Sequence, residues 1–221
     1  QTDRQTDRQT DRQTDRRNSN IELLRIVTML IIIVHHFCVH GILKVLEPSP
    51  YPLTVDNLTW QLIFVQLVGW GGNMSNGIFV VITGYFMLGK TVEYRKLIPL
   101  AKAMFFYAWI IALILYGGGF FPYSLGKVVT SLVPMWFGMN WFVSCYMIFL
   151  LFIPYINKFL DGIDKSEWER LLMILFIVDI ILPSFKGNTF VNGSQLVYFF
   201  FMYCIGGYFK KFLLLTQTSH I

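Results

Sequence analysis

The chain has 221 residues, of which 55% are hydrophobic, 17% aromatic and only 14% charged, with a formal net charge of +5. An ordinary soluble domain is about 45–50% apolar and about 25% charged, so this chain has too few charges to cover a water-facing surface of its size. These proportions exclude a soluble enzyme, a disordered protein and a nucleic-acid binder, and the positive excess reads as cytoplasmic loop charge on an integral membrane protein.

Residues 1–17 form a low-complexity leader, four copies of Gln-Thr-Asp-Arg followed by Arg17, too polar to pack and expected to be disordered. The codons CAG-ACA-GAC-AGA encode that tetrapeptide and are also the tetranucleotide CAGA read three times. Such a tract slips during replication, so the leader suggests a phase-variable bacterial surface gene; a spacer or a translated upstream sequence is the alternative. The chain opens on Gln1 instead of Met and stops at Ile221 shortly after an apolar segment, so a fragment of a longer protein is expected. Residues 18–221 are read as one membrane domain.

A membrane helix needs about 20 largely apolar residues. Ile21–His40 is the first such run. Gly41–Asn57 is a proline-rich loop. Leu58–Leu88 is apolar but interrupted by Gly69, Gly71, Gly72, Asn73 and Asn76, which predicts an approach helix over Leu58–Trp70 and a span from Asn73 to Leu88. Lys90–Lys96 is a basic turn, and Ile98–Tyr116 is the third span. Gly117–Asn140 reads as an external, partly buried segment, with a short extra span as the alternative. Trp141–Ile156 is the fourth span and Asn157–Arg170 a mixed-charge loop. Leu171–Leu182 is the fifth span, Pro183–Ser194 a polar connection and Gln195–Phe209 the last span. The expected fold is all-α, an integral-membrane bundle of about six helices.

Positive charges mark the cytoplasmic side of a membrane protein. Arg16 and Arg17 precede the first span; Lys90, Arg95, Lys96 and Lys102 follow the second; Lys158, Lys165 and Arg170 follow the fourth; Lys210 and Lys211 follow the sixth. Both ends of the domain are therefore expected in the cytoplasm, the protein lying in a bacterial inner membrane. Cys38, Cys145 and Cys204 sit in apolar stretches and read as small hydrophobes, with neither disulfide nor zinc-ligand spacing. No metal and no nucleic acid is expected.

Ionisable groups inside a membrane are costly and mark function or pairing. Glu22 and Arg25 are three apart and share a face near the inner boundary. Arg25 and His36 are eleven apart, about three helical turns, and lie on one face about 16 Å apart along the axis. His40 extends the stripe, whereas His35 points about 100° away. A guanidinium at the inner end suits a phosphate-bearing ligand, and an imidazole deeper in suits general-base work. The alternatives are snorkelling of Arg25 beside Glu22 and an interhelical hydrogen bond from His36.

Asn20-Ile-Glu-Leu-Leu-Arg25, ten further residues and His36 together resemble the opening of the membrane-bound acyltransferase-3 family, bacterial enzymes that O-acylate surface polysaccharides and lipopolysaccharide. Asn76-Gly-Ile-Phe-Val-Val-Ile-Thr-Gly-Tyr-Phe86 is similar to the family's second motif, and Tyr94-Arg-Lys-Leu-Ile-Pro99 to its basic turn. Trp141–Leu160, with Pro154 and Asn157, resembles its middle region. The likeness runs from Asn18 to Lys211. Two features differ. Ile98 stands where many members carry a second arginine of the basic turn, and this chain supplies about six of the family's roughly ten spans.

The resemblance implies acetyl-coenzyme A or another acyl-coenzyme A as donor, and a glycan or lipid-linked sugar as acceptor at the membrane. It places Arg25, Arg95 and Lys96 at the anionic part of the donor and His36 as the base. Helical register favours His36 over His35. Glu22 pairs with Arg25, and Thr83 lines the acyl path or polarises a carbonyl; Phe79, Tyr85 and Phe86 also read simply as packing aromatics. The competing functions are a transporter or flippase of lipid-linked sugars and an inactive, truncated product.

Overall fold

The computed structural model describes residues 19–43, 59–92, 94–120, 125–132, 141–185 and 194–213. The leader, most of the proline-rich loop and parts of the two external connections lie outside them. All regular structure among the described residues is helical. The chain divides into two compact units, 1–79 and 80–221.

The elements in chain order are α1 (Ser19–His36, continued to Leu43 in wider π-helical turns), α2 (Trp60–Met87), a 3-10 turn (Tyr94–Lys96), α3 (Leu97–Ala112, continued to Gly117), α4 (Leu125–Leu132), α5 (Trp141–Asp161), α6 (Lys165–Phe176, continued through Ser184) and α7 (Gln195–Tyr208, continued to Leu213). Four of the described segments are both long and apolar enough to cross a membrane: Ser19–Ile42, Leu97–Gly117, Trp141–Asp161 and Gln195–Leu213. They match the first, third, fourth and sixth expected spans. The other two expected spans are also helices. Asn73, Ser75 and Asn76 dilute α2, and the charges of Lys165 to Arg170 dilute the start of α6.

Three local expectations change. The glycine-rich stretch does not break α2, which runs unbroken for 28 residues. In a membrane, a break would strand backbone N–H and C=O groups away from water. The mixed-charge loop is mostly helix: α5 extends to Asp161 and α6 begins at Lys165. A capping box starts α6, with Glu167 N–H donating to Asp164 Oδ1 at 2.8 Å and Asp164 N–H to Glu167 Oε2 at 3.0 Å. The segment after Gly117, expected to be external, contains α4, eight residues long.

In the first unit, α1 turns an apolar face outward, with Leu23, Ile26, Leu30, Ile33 and Phe37 all exposed. Water would not tolerate such a face, whereas lipid does. Thr28 and Cys38 are buried on the other side. Gly71 and Gly72 of α2 receive α1: a Cβ on Gly71 would stand 2.7 Å from Ile31 Cγ2, and one on Gly72 2.5 Å from the His35 ring.

In the second unit, the C-terminal part of α2 packs with α5, α6 and α7. The core contains Val80, Leu88, Phe149, Ile153, Leu160, Trp168, Phe199 and Tyr203. Here the α2 and α7 backbones touch. A Cβ on Gly84 would lie 2.2 Å from Tyr203 O, and one on Gly206 2.0 Å from Val81 O, so only glycine fits at either crossing point.

Candidate functional site

Of the six expected site residues, Glu22, Arg25 and His36 belong to the first unit and Thr83, Arg95 and Lys96 to the second. In the first unit the expected Glu22–Arg25 pair is present, with Nη1 donating to Oε1 at 3.0 Å and both side chains about two-fifths exposed. One turn further on, Thr28 is fully buried and donates its hydroxyl proton to Leu24 O at 2.6 Å.

His36 stands on the exposed side of α1. Its ring stacks on His40 with centroids 5.3 Å apart and meets His35 edge-on at 5.3 Å. The stripe from His36 to His40 expected from helical register is therefore a physical contact. His35 does point elsewhere, toward Gly72, and its Nδ1 is enclosed with no hydrogen-bond partner among the described residues. Ser75, one turn beyond Gly72, is fully buried and its hydroxyl is likewise unpartnered among them.

In the second unit, Thr83 Oγ1 and Tyr146 OH lie 2.9 Å apart, joining α2 to α5. Arg95 is exposed in the turn Tyr94–Lys96, and Lys96 belongs to the same turn. At the end of α2 a buried polar clamp holds three helices. Asn157 of α5 donates to Met87 O at 2.9 Å and to Lys90 O at 3.1 Å, and accepts from Tyr203 OH of α7 at 2.6 Å. Lys210 donates to Leu88 O at 2.7 Å. These donors reach carbonyls at and just beyond the end of α2, where Met87 O also accepts from Lys90 N–H at 3.0 Å, and the cation suits a helix C-terminus. Gly89 closes the helix at φ 72°, in the left-handed region.

The clamp was only partly visible in the sequence. Asn157 is marked there only by the likeness to the family's middle region and opens the expected mixed-charge loop, while Tyr146 and Tyr203 are indistinguishable from their many aromatic neighbours. No group of three or more His, Cys, Asp or Glu among the described residues is arranged to hold a metal.

A model of acyltransferase family 3, described as an acyltransferase domain, matches residues 18–220. The chain belongs to that family. It is a multi-pass membrane acyltransferase, an enzyme that takes an acyl group from a donor and transfers groups other than amino-acyl groups. Comparisons with curated proteins and with solved structures find no match. Within the family's terms, the first unit offers a guanidinium and an imidazole on one apolar helix. The second offers a basic turn, whose first residue, Lys90, is bound through its carbonyl by Asn157.

Proposed function

We propose that this acyltransferase moves an acyl group, acetyl foremost, from a cytoplasmic acyl-coenzyme A to a hydroxyl of a bacterial cell-surface polysaccharide or lipopolysaccharide sugar. It would work in the inner membrane with its N-terminus in the cytoplasm. The observation that carries this reading is the Arg25–His36 spacing on one apolar helix of an acyltransferase-family chain.

In the first unit, Arg25 is the anion-binding group and Glu22 holds its fork in place. His36 is the base. Its neutral imidazole takes the proton of the sugar hydroxyl as the oxygen attacks the thioester carbonyl. The C–O bond forms, the C–S bond breaks and coenzyme A leaves as its thiolate. In the second unit, Arg95 and Lys96 bind phosphate groups of the donor, and Thr83 lines the acyl path beside Tyr146. Residues 18–221 act as part of one acyltransferase domain, and the leader 1–17 is the expression switch.

The deciding experiment is transfer of labelled acetyl from acetyl-coenzyme A to lipopolysaccharide by the full-length protein in membranes. His36→Ala is expected to lower the rate about 100-fold or more, the usual size of a lost general base. Undiminished transfer by that variant removes His36 from the chemistry. The switch rests on the DNA: codons for residues 1–16 that do not form a four-base repeat dispose of it.

A further inference from the structure

Asp179 is the only ionisable residue between Arg170 and the end of α6 at Ser184. A carboxylate in so apolar a run requires a counterpart. Among the described residues, no Lys, Arg or His occurs in α6 beyond Arg170 or in α7 before Lys210; Lys186, in the connection that follows, lies outside them. Asp179 Oδ2 is enclosed and has no hydrogen-bond partner among the described residues. The backbone around it, Ile177–Ile181, winds in π-helical turns, as do the ends of α1, α3 and α7.

The facing helix supplies a second polar group. α7 packs against this segment, and its Tyr198 phenol is within electrostatic reach of the Asp179 carboxylate. The Phe176 and Phe201 rings, 6.5 Å apart, fix the two helices just inward of the pair. The pair stands at the opposite end of these helices from the Asn157–Lys210 clamp. Asp179 is about 21 Å along α6 from Lys165, and Tyr198 about 18 Å along α7 from Lys210. Structural needs at the clamped end are met without either residue.

We propose that Asp179 and Tyr198 form a hydroxyl-binding subsite for the sugar acceptor. The carboxylate accepts the O–H of one sugar hydroxyl, and the phenol donates to a neighbouring sugar oxygen. A carboxylate prefers polyhydroxylated ligands over ethers, because only the former bring donors to it. The subsite rests on the acceptor reading given above, and it binds rather than reacts.

The probe is octyl glucoside, a sugar-headed amphiphile, set against an octyl polyoxyethylene ether of similar size that has a single terminal hydroxyl. The full-length protein in lipid nanodiscs is treated with dicyclohexylcarbodiimide, which attacks membrane-buried carboxyls, and modification of Asp179 is followed by mass spectrometry. Octyl glucoside is expected to slow labelling about tenfold, the worth of a charge-assisted hydrogen bond, and the ether to leave it unchanged. Tyr198→Phe is expected to abolish most of that protection. Equal protection by both amphiphiles, or an Asp179 that does not label at all, overturns the subsite. In the transfer assay, Asp179→Asn is expected to raise the acceptor KM about tenfold and to spare the donor KM. A wild-type protein that transfers nothing to sugars sinks the acceptor reading, while the labelling result still decides whether sugar is bound.

Discussion

Asn157 serves three partners with one amide, and that makes it the most consequential side chain of the second unit. Its two N–H groups reach Met87 O and Lys90 O, and its oxygen accepts from Tyr203. Replacing it by Leu, of similar volume, removes the acceptor of the buried Tyr203 hydroxyl and the amide bonds that tie α5 to Met87 O and Lys90 O. A buried hydroxyl left without a partner costs about 1–3 kcal/mol, and the two lost amide bonds add to it. Asn157→Leu is therefore expected to lower the thermal unfolding midpoint in detergent markedly, and Tyr203→Phe, which removes one bond, to lower it less. Equal midpoints for wild type and Asn157→Leu mean that the clamp does not hold the helices. The first unit shows how far residue reading reaches. The Glu22–Arg25 pair and the His36–His40 neighbours follow from helical spacing alone, and the structure shows the first as an ion pair and the second as stacked rings. The seat of His35 against Gly72 does not follow, because it depends on which face of α1 meets α2. Thr83 is visible as a polar residue in an apolar run, but its bond to Tyr146 joins positions 63 apart, and no local pattern records that.

At the scale of elements, composition makes the spans legible, whereas the punctuation misleads. Glycine reads as a breaker in water because it exposes backbone and loses conformational entropy on folding. Inside a membrane the same residue lets helices approach, and the backbone keeps its bonds because nothing else is there to satisfy them. Gly84 and Gly206 are the extreme case, each facing a main-chain carbonyl of the opposite helix. A carbonyl on a packed helix cannot rotate away as a side chain can. Gly84→Leu or Gly206→Leu is thus expected to force α2 and α7 apart and to destabilise the second unit by about 1–3 kcal/mol or more. Gly89→Ala is a milder control: it meets no neighbour and pays only for its left-handed backbone. Detergent-solubilised yield and unfolding temperature rank the three variants. A Gly84→Leu protein as stable as Gly89→Ala contradicts the close crossing. The start of α6 is the opposite error, where clustered charge suggested a loop. Asp164 and Glu167 are instead the two halves of a capping box, a pattern readable as Asp-x-x-Glu.

At the scale of the molecule, charge supplies what packing does not: direction. Within the second unit, Lys90, Lys158, Lys210 and Lys211 lie at the ends of helices joined by the clamp, Arg95 follows in the next turn and Lys165 opens α6 just after α5 ends, whereas Ser184 and Ser194 lie at the far ends of α6 and α7. The positive-inside bias turns that asymmetry into an orientation. In the proposed orientation the clamped, basic end lies in the cytoplasm with the phosphate-rich donor, and the Asp179–Tyr198 end lies on the outer side. Impermeant labelling tests this directly. In a background with Cys38, Cys145 and Cys204 replaced, Ser194→Cys is expected to react with a membrane-impermeant maleimide on spheroplasts, and Lys165→Cys only after lysis. The two positions are the N-terminal ends of adjacent helices, so they must lie on opposite faces if both helices span. Reaction of Lys165→Cys on intact spheroplasts inverts the orientation and moves Arg95 and Lys96 away from a cytoplasmic donor. Reaction of both on the same face means that α6 and α7 do not cross as a pair.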